Sequence, residues 1–115
     1  MAITEYTINA SVSTTEYSIT GDSTTIQTQT GDGVMQAFID FSAMAAGDQY
    51  QIRVYEKARS ASTQHVVYEA VVSGAQDELF VTPALTVMHG WDVTLDKLTG
   101  TDRTIEASVR LVPIA

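Results

Sequence analysis

The chain contains no cysteine, which excludes a disulfide framework and any thiolate metal site and fits a reducing compartment. Its first residues, MAITEYT, lack the basic start and apolar run of a signal peptide, so synthesis in the cytoplasm without a leader is expected. No apolar run approaches the roughly 20 residues that a membrane-spanning helix needs. Positive charge is scarce and late. Residues 1–52 hold six acids and no Lys or Arg, whereas residues 53–115 hold eight acids and six bases, for a net charge of −8. Nucleic acid and anionic membranes both require a positive footprint, so neither is expected as a partner. The acidity keeps the chain soluble or presents an acidic face to a basic partner surface.

Chemistry-bearing motifs are also missing. His65 and His89 are the only histidines, and neither has further ligands at metal spacing. The Asp-containing phrases TGDSTT and TQTGDG lack the EF-hand spacing and read as turns. There is no Gly-x-Ser-x-Gly elbow and no phosphate-cradling Gly-rich loop. The pair Asp77-Glu78 reads as a solvated turn. No enzymatic activity, catalytic residue, metal or cofactor is therefore expected.

What is present is strand pattern. At 115 residues a single domain is the default. Of the 27 residues from Thr4 to Thr30, 13 are Ser or Thr, but Tyr and Ile alternate among them in strand fashion. Met35, Ala37, Ile39 and Phe41 share one face of a run. Tyr50, Ile52 and Val54 share another, opposite Gln51, Arg53, Tyr55 and Lys57. HVVYEAVV is denser, with two mostly apolar faces, and predicts a strand covered on both sides. Trp91, Val93 and Leu95 alternate with Asp92, Thr94 and Asp96. Ile105, Ala107, Val109 and Leu111 alternate with Glu106, Ser108 and Arg110. Gly- and Asp-containing turns separate the runs, and two of them bracket a short strand between Asp22 and Thr30. SAMAA, at 42–46, is the sole helix-like piece, about one turn. The chain therefore reads as all-β: an antiparallel β-sandwich of 7–9 strands, jelly-roll or Ig-like Greek key, with a closed barrel as the next choice.

Tyr50 follows the AAGD loop at a strand start, where a tyrosine corner would bond backbone a few residues upstream. The alternative is a packed Tyr with its hydroxyl in water. Trp91 reads as a core residue. RVYEKAR, at 53–59, is the one basic spot, and Arg53, Tyr55, Lys57 and Arg59 are candidate assembly contacts, since Arg and aromatics are favoured at interface centres. A solvated edge strand guarded by its bases fits the same residues.

Four phrases, TTEYSIT, GDGVMQAFIDFSAMAAGDQYQIRVYEKARS, TQHVVYEAVVSGAQ and VTPALTVMHGWDVTLDKLTGTDRTIEASVR, resemble small proteins encoded near capsid genes of tailed bacteriophages. The resemblance spans about Thr15 to Arg110 and implies a virion structural protein. It implies no functional residues, because such proteins carry no catalytic motif. The role it points to is a capsid decoration or cement protein on the outer capsid surface. The implied partners are the major capsid protein and further copies of the chain, a homotrimer being expected from the class. The alternatives are a head-tail or tail component of the particle and a carbohydrate-binding jelly roll. The last would need exposed aromatics beside Asp or Asn, as Trp91, His89 and Asp92 could supply.

The phrase Thr4-Glu5-Tyr6-Thr7-Ile8 returns as Thr15-Glu16-Tyr17-Ser18-Ile19, 11 residues on. In one continuous strand an odd offset would put the two copies on opposite faces, so the chain must break near Ser13-Thr14. The resemblance leaves the first copy outside. Residues 1–13 thus read as an added N-terminal strand or arm that lies along a neighbouring subunit or an open sheet edge, with Tyr6 and Ile8 as assembly contacts by strand addition, and residues 14–115 as the sandwich domain.

Overall fold

The computed structural model describes residues 2–113. Among these residues nine strands are formed: β1 (Thr4–Val12), β2 (Tyr17–Ser18), β3 (Gly33–Asp40), β4 (Gln49–Lys57), β5 (Gln64–Ser73), β6 (Phe80–Val81), β7 (Leu85–Val87), β8 (Asp92–Thr99) and β9 (Arg103–Val112). They make two antiparallel sheets packed as a sandwich. One has the order β1-β9-β3, with β6 and β7 both on the far edge of β3; the other is β2-β8-β4-β5. The all-β sandwich expected from alternation is what forms. SAMAA gives turns instead of a helix, and only isolated bridges, Ser18 to Ser23 and Gln29 to Trp91, interrupt the loop expected to hold a strand.

The core follows directly from period-2 patterning. Met35, Ala37 and Ile39 of β3, Ile105, Ala107, Val109 and Leu111 of β9, and Ile8 and Val12 of β1 point inward from the first sheet. Tyr50, Ile52 and Val54 of β4 with Val93 and Leu95 of β8 meet them. Trp91 is fully buried; Tyr6 packs edge-on against it at 5.9 Å, and its indole Nε1 donates to the Gly31 carbonyl at 2.8 Å. A buried indole needs such a partner, since an unpaired donor would cost about 1–3 kcal/mol.

Two expectations are corrected. Residues 1–13 supply a strand on a sheet edge, one of the two places open to them, and not an arm on a neighbour: β1 pairs with β9 of its own chain through nine residue positions, from Thr4 opposite Leu111 to Val12 opposite Arg103. The break at Ser13-Thr14 is a crossing between sheets, because β2 belongs to the second sheet. This accounts for the 11-residue offset, since each copy serves a different sheet. The second correction concerns β5. It is an edge strand with one neighbour, β4, and Val66, Val67 and Val71 on it are 43, 52 and 52% exposed. No element among the described residues covers its outer face.

Candidate functional site

The residues singled out as contacts divide by face. Even-numbered positions of β1 point inward, so Ile8 is buried and Tyr6 half-buried against Trp91. Both side chains, read from sequence as assembly contacts, thus pack on the core of their own chain. Odd-numbered positions of β4 point outward, and Arg53, Tyr55 and Lys57 therefore lie on the outer face of the second sheet. Arg59 follows the strand and is exposed.

Arg53 and Tyr55 are not loose on that face. Arg53 Nε donates to Glu69 of β5 at 2.9 Å, and its Nη1 lies 3.6 Å from Glu16. The Tyr55 hydroxyl donates to Glu16 at 2.6 Å, and Thr94 Oγ1 donates to the same carboxylate oxygen. Glu16 thus ties the entry to β2 onto β4 and β8. Burial first, then the Glu16 carboxylate, pushes the Tyr55 hydroxyl up to about 12. Beside this network Gln51 and Asp96 are cross-strand neighbours, both largely buried, and Gln51 Oε1 and Asp96 Oδ1 have no hydrogen-bond partner among the described residues. Burial raises the Asp96 pKa against the pull of Arg53.

The other polar residues work as fasteners of loops. Glu56 accepts the backbone N–H of Met88 at 2.7 Å and of His89, which fixes the turn before Gly90. Buried Asp92 accepts from Thr20 Oγ1 at 2.6 Å and from Gln27 N at 2.8 Å, pinning the long loop between β2 and β3. Asp48 receives N–H bonds from Ala45 and Thr101, both at 2.9 Å, and an ion pair from Arg103 at 2.7 Å. Gly100, at φ +96°, runs so close to Asp48 that a Cβ there would meet its Oδ1 at 2.2 Å. The Tyr50 hydroxyl donates to Val12 O at 2.9 Å and accepts from Arg103 N at 2.7 Å. It is not a tyrosine corner, because its backbone acceptor lies 38 residues upstream, on the other sheet. Apart from the Ala45 N–H, three residues before Asp48, these partners are distant in sequence and no local signal could have named them.

Trp91 and Asp92 are both fully buried, so the sugar-binding face that His89, Trp91 and Asp92 might have formed does not exist. An open groove of about 600 Å³ crosses the outer face of the first sheet near Phe38, Asp40, Glu106 and Arg110. Its aromatic surface is already occupied, since the Arg110 guanidinium sits 3.9 Å over the Phe38 ring. Among the described residues no group of three His, Asp or Glu is placed to hold a metal ion. What the geometry offers is surface: two long open edges. Beyond the ladder to β4, no hydrogen bond among the described residues reaches the backbone of Gln64–Val72, and beyond β9 none reaches that of Thr4–Ser11.

No protein-family model and no curated protein matches the chain, so the resemblance to tailed-phage virion proteins finds no support from either. One solved structure with the same architecture is described by the words "Bacillus endospore appendages form a novel family of disulfide-linked pili". It is 11% identical, with a TM-score of 0.54 over 98% of this chain and 88% of the other. At that identity the likeness establishes a shared β-sandwich fold.

Proposed function

We propose that this chain is a non-enzymatic structural protein that acts as a subunit of a repeating assembly, and specifically as a decoration protein of a tailed-phage capsid. The observation that carries the reading is how the polar residues are spent. Glu16, Asp48, Glu56 and Asp92 are each engaged in holding loops and strands. Outside the Gln51–Asp96 pair, the unspent bonding capacity lies in the backbone of two long edge strands, beside the exposed valines of β5. A protein organised this way works through its surface. A decoration protein binds only the assembled shell and stabilises it by mass action, with many weak contacts acting together through symmetry. The resemblance of four phrases to proteins encoded near capsid genes is the one ground that favours a shell over other assemblies.

A filament subunit is the second reading, favoured by the fold shared with the pilus structure. With no cysteine in the chain, contacts in such a filament would have to be non-covalent. The test is copy number in purified particles of the phage that carries the gene, by quantitative mass spectrometry and a map of the whole particle. Copies on the order of those of the major capsid protein, seated across capsomer junctions, are expected. A few copies at one vertex, or none, would overturn the decoration role.

A further inference from the structure

From the β5 edge we infer that this chain pairs with a second copy of itself, β5 against β5, antiparallel about a two-fold axis through Glu69. The first observation is the open edge itself. A 10-residue edge strand with unpaired N–H and C=O groups and exposed valines is the kind of edge that monomeric proteins avoid. The second is that its sequence is nearly palindromic. Residues 66–72 read VVYEAVV, which is symmetric about Glu69 except for Tyr68 and Ala70.

An antiparallel pair centred on Glu69 sets Val67 opposite Val71 of the second copy, and Val71 opposite Val67. The exposed valines then cover one another on the outer face. On the inner face Tyr68 lies opposite Ala70, a large side chain against a small one, at both ends of the pair. The skip in register against β4 falls on Val67 itself, which has no partner on β4, so the pairing ends there and the paired segment is Val67–Val71. Two copies of the second sheet, four-stranded in each, become one continuous sheet.

The centre of this pairing opposes Glu69 to itself, and like charges directly opposite are unfavourable. The structure supplies the compensation, because Arg53 on the neighbouring strand already holds Glu69 at 2.9 Å. Each copy therefore brings a neutralised ion pair to the axis. The other long edge shows no such complementarity. Outward from β1 stand Glu5, Thr7, Asn9 and Ser11, which have no apolar surface to bury. A single strand–strand contact is small, so a dissociation constant on the order of 10–100 μM is expected.

The absence of native cysteine makes the register directly testable. Glu69→Cys places two thiols directly opposite, within reach of a disulfide. Val71→Cys places them roughly 14 Å apart along the paired strands, out of reach. Oxidation should link the first variant at least about tenfold faster than the second, while mixing Val67→Cys with Val71→Cys chains should produce linked pairs. Sedimentation of the wild-type chain up to about 1 mM should show a reversible dimer, which Val67→Lys/Val71→Lys weakens by about tenfold or more. Arg53→Ala should weaken it too, and Arg53→Ala/Glu69→Gln should restore it, an outcome that a purely structural role for Arg53 does not produce. A chain monomeric throughout that range, or equal linkage rates for the Glu69→Cys and Val71→Cys variants, overturns the inference. The inference deepens the assembly reading but is tested on the isolated chain. A dimer without particle attachment would sink the decoration role and leave this contact standing.

Discussion

Asp48 shows how much one side chain can organise at a distance in sequence. Its carboxylate takes N–H bonds from the loop before β4 and from the turn before β9, and then a guanidinium on β9 itself. The two backbone N–H groups, with Arg103 beside them, hold its pKa down to about 2. An unfolded Asp titrates near about 3.9. Because the folded value is the lower one, the contribution is complete above the unfolded value and is lost as pH falls from about 4 towards 2. Thermal melts should therefore fall steeply across that window. Asp48→Asn should lower the melting temperature at neutral pH and flatten the acid limb. Asp40, held low by Ser42, supplies a background slope that the variant keeps. An unchanged acid limb would show that Asp48 does not fasten these loops.

At the scale of elements, β1 is the strand whose role changed most between sequence and structure. An arm could be removed without harm to a domain, but β1 contributes Ile8 and Val12 to the core and the Val12 carbonyl to Tyr50. Burying such side chains is worth roughly 1.5–3 kcal/mol each. Orphaning the Tyr50 hydroxyl costs about 1–3 kcal/mol more. Against a total stability of about 5–15 kcal/mol, that is most of what a small domain has. Deleting residues 2–12 should abolish cooperative unfolding, as followed by near-UV circular dichroism and denaturant titration. A truncated chain that still unfolds in one sharp transition would restore the arm. The strands themselves were legible. β3, β4, β8 and β9 each place apolar residues at every second position because one face meets the core, most cleanly in β8 and β9, and that pattern is local. Which strand neighbours which is not local. The apolar density of HVVYEAVV suggested cover on both faces, yet a strand that will be covered by a partner chain carries the same residues as one covered by its own. The contacts of Glu16, Asp48 and Tyr50 were illegible for a related reason, since each joins segments that only the sandwich brings together.

For the whole molecule the deciding quantity is net charge. At −8, two copies repel each other before any edge meets, and that repulsion is long-ranged only when salt is low. The Debye length shrinks from about 10 Å at 0.1 M to about 3 Å at 1 M ionic strength. The β5 pairing is made of backbone hydrogen bonds, valines and an ion pair already closed within each copy, so screening removes the repulsion and leaves the contact. Self-association should therefore tighten as salt rises. Attachment of an acidic face to a basic shell surface has the opposite sign, because screening removes the attraction itself. Measuring both against sodium chloride from about 0.05 to 1 M separates the two contacts on one sample. Dimerisation that weakens with salt would mean that the copies meet through charge, with the acids of one on Lys57 and Arg59 of the other. Attachment indifferent to salt would place the apolar edge, and not the acidic face, against the shell.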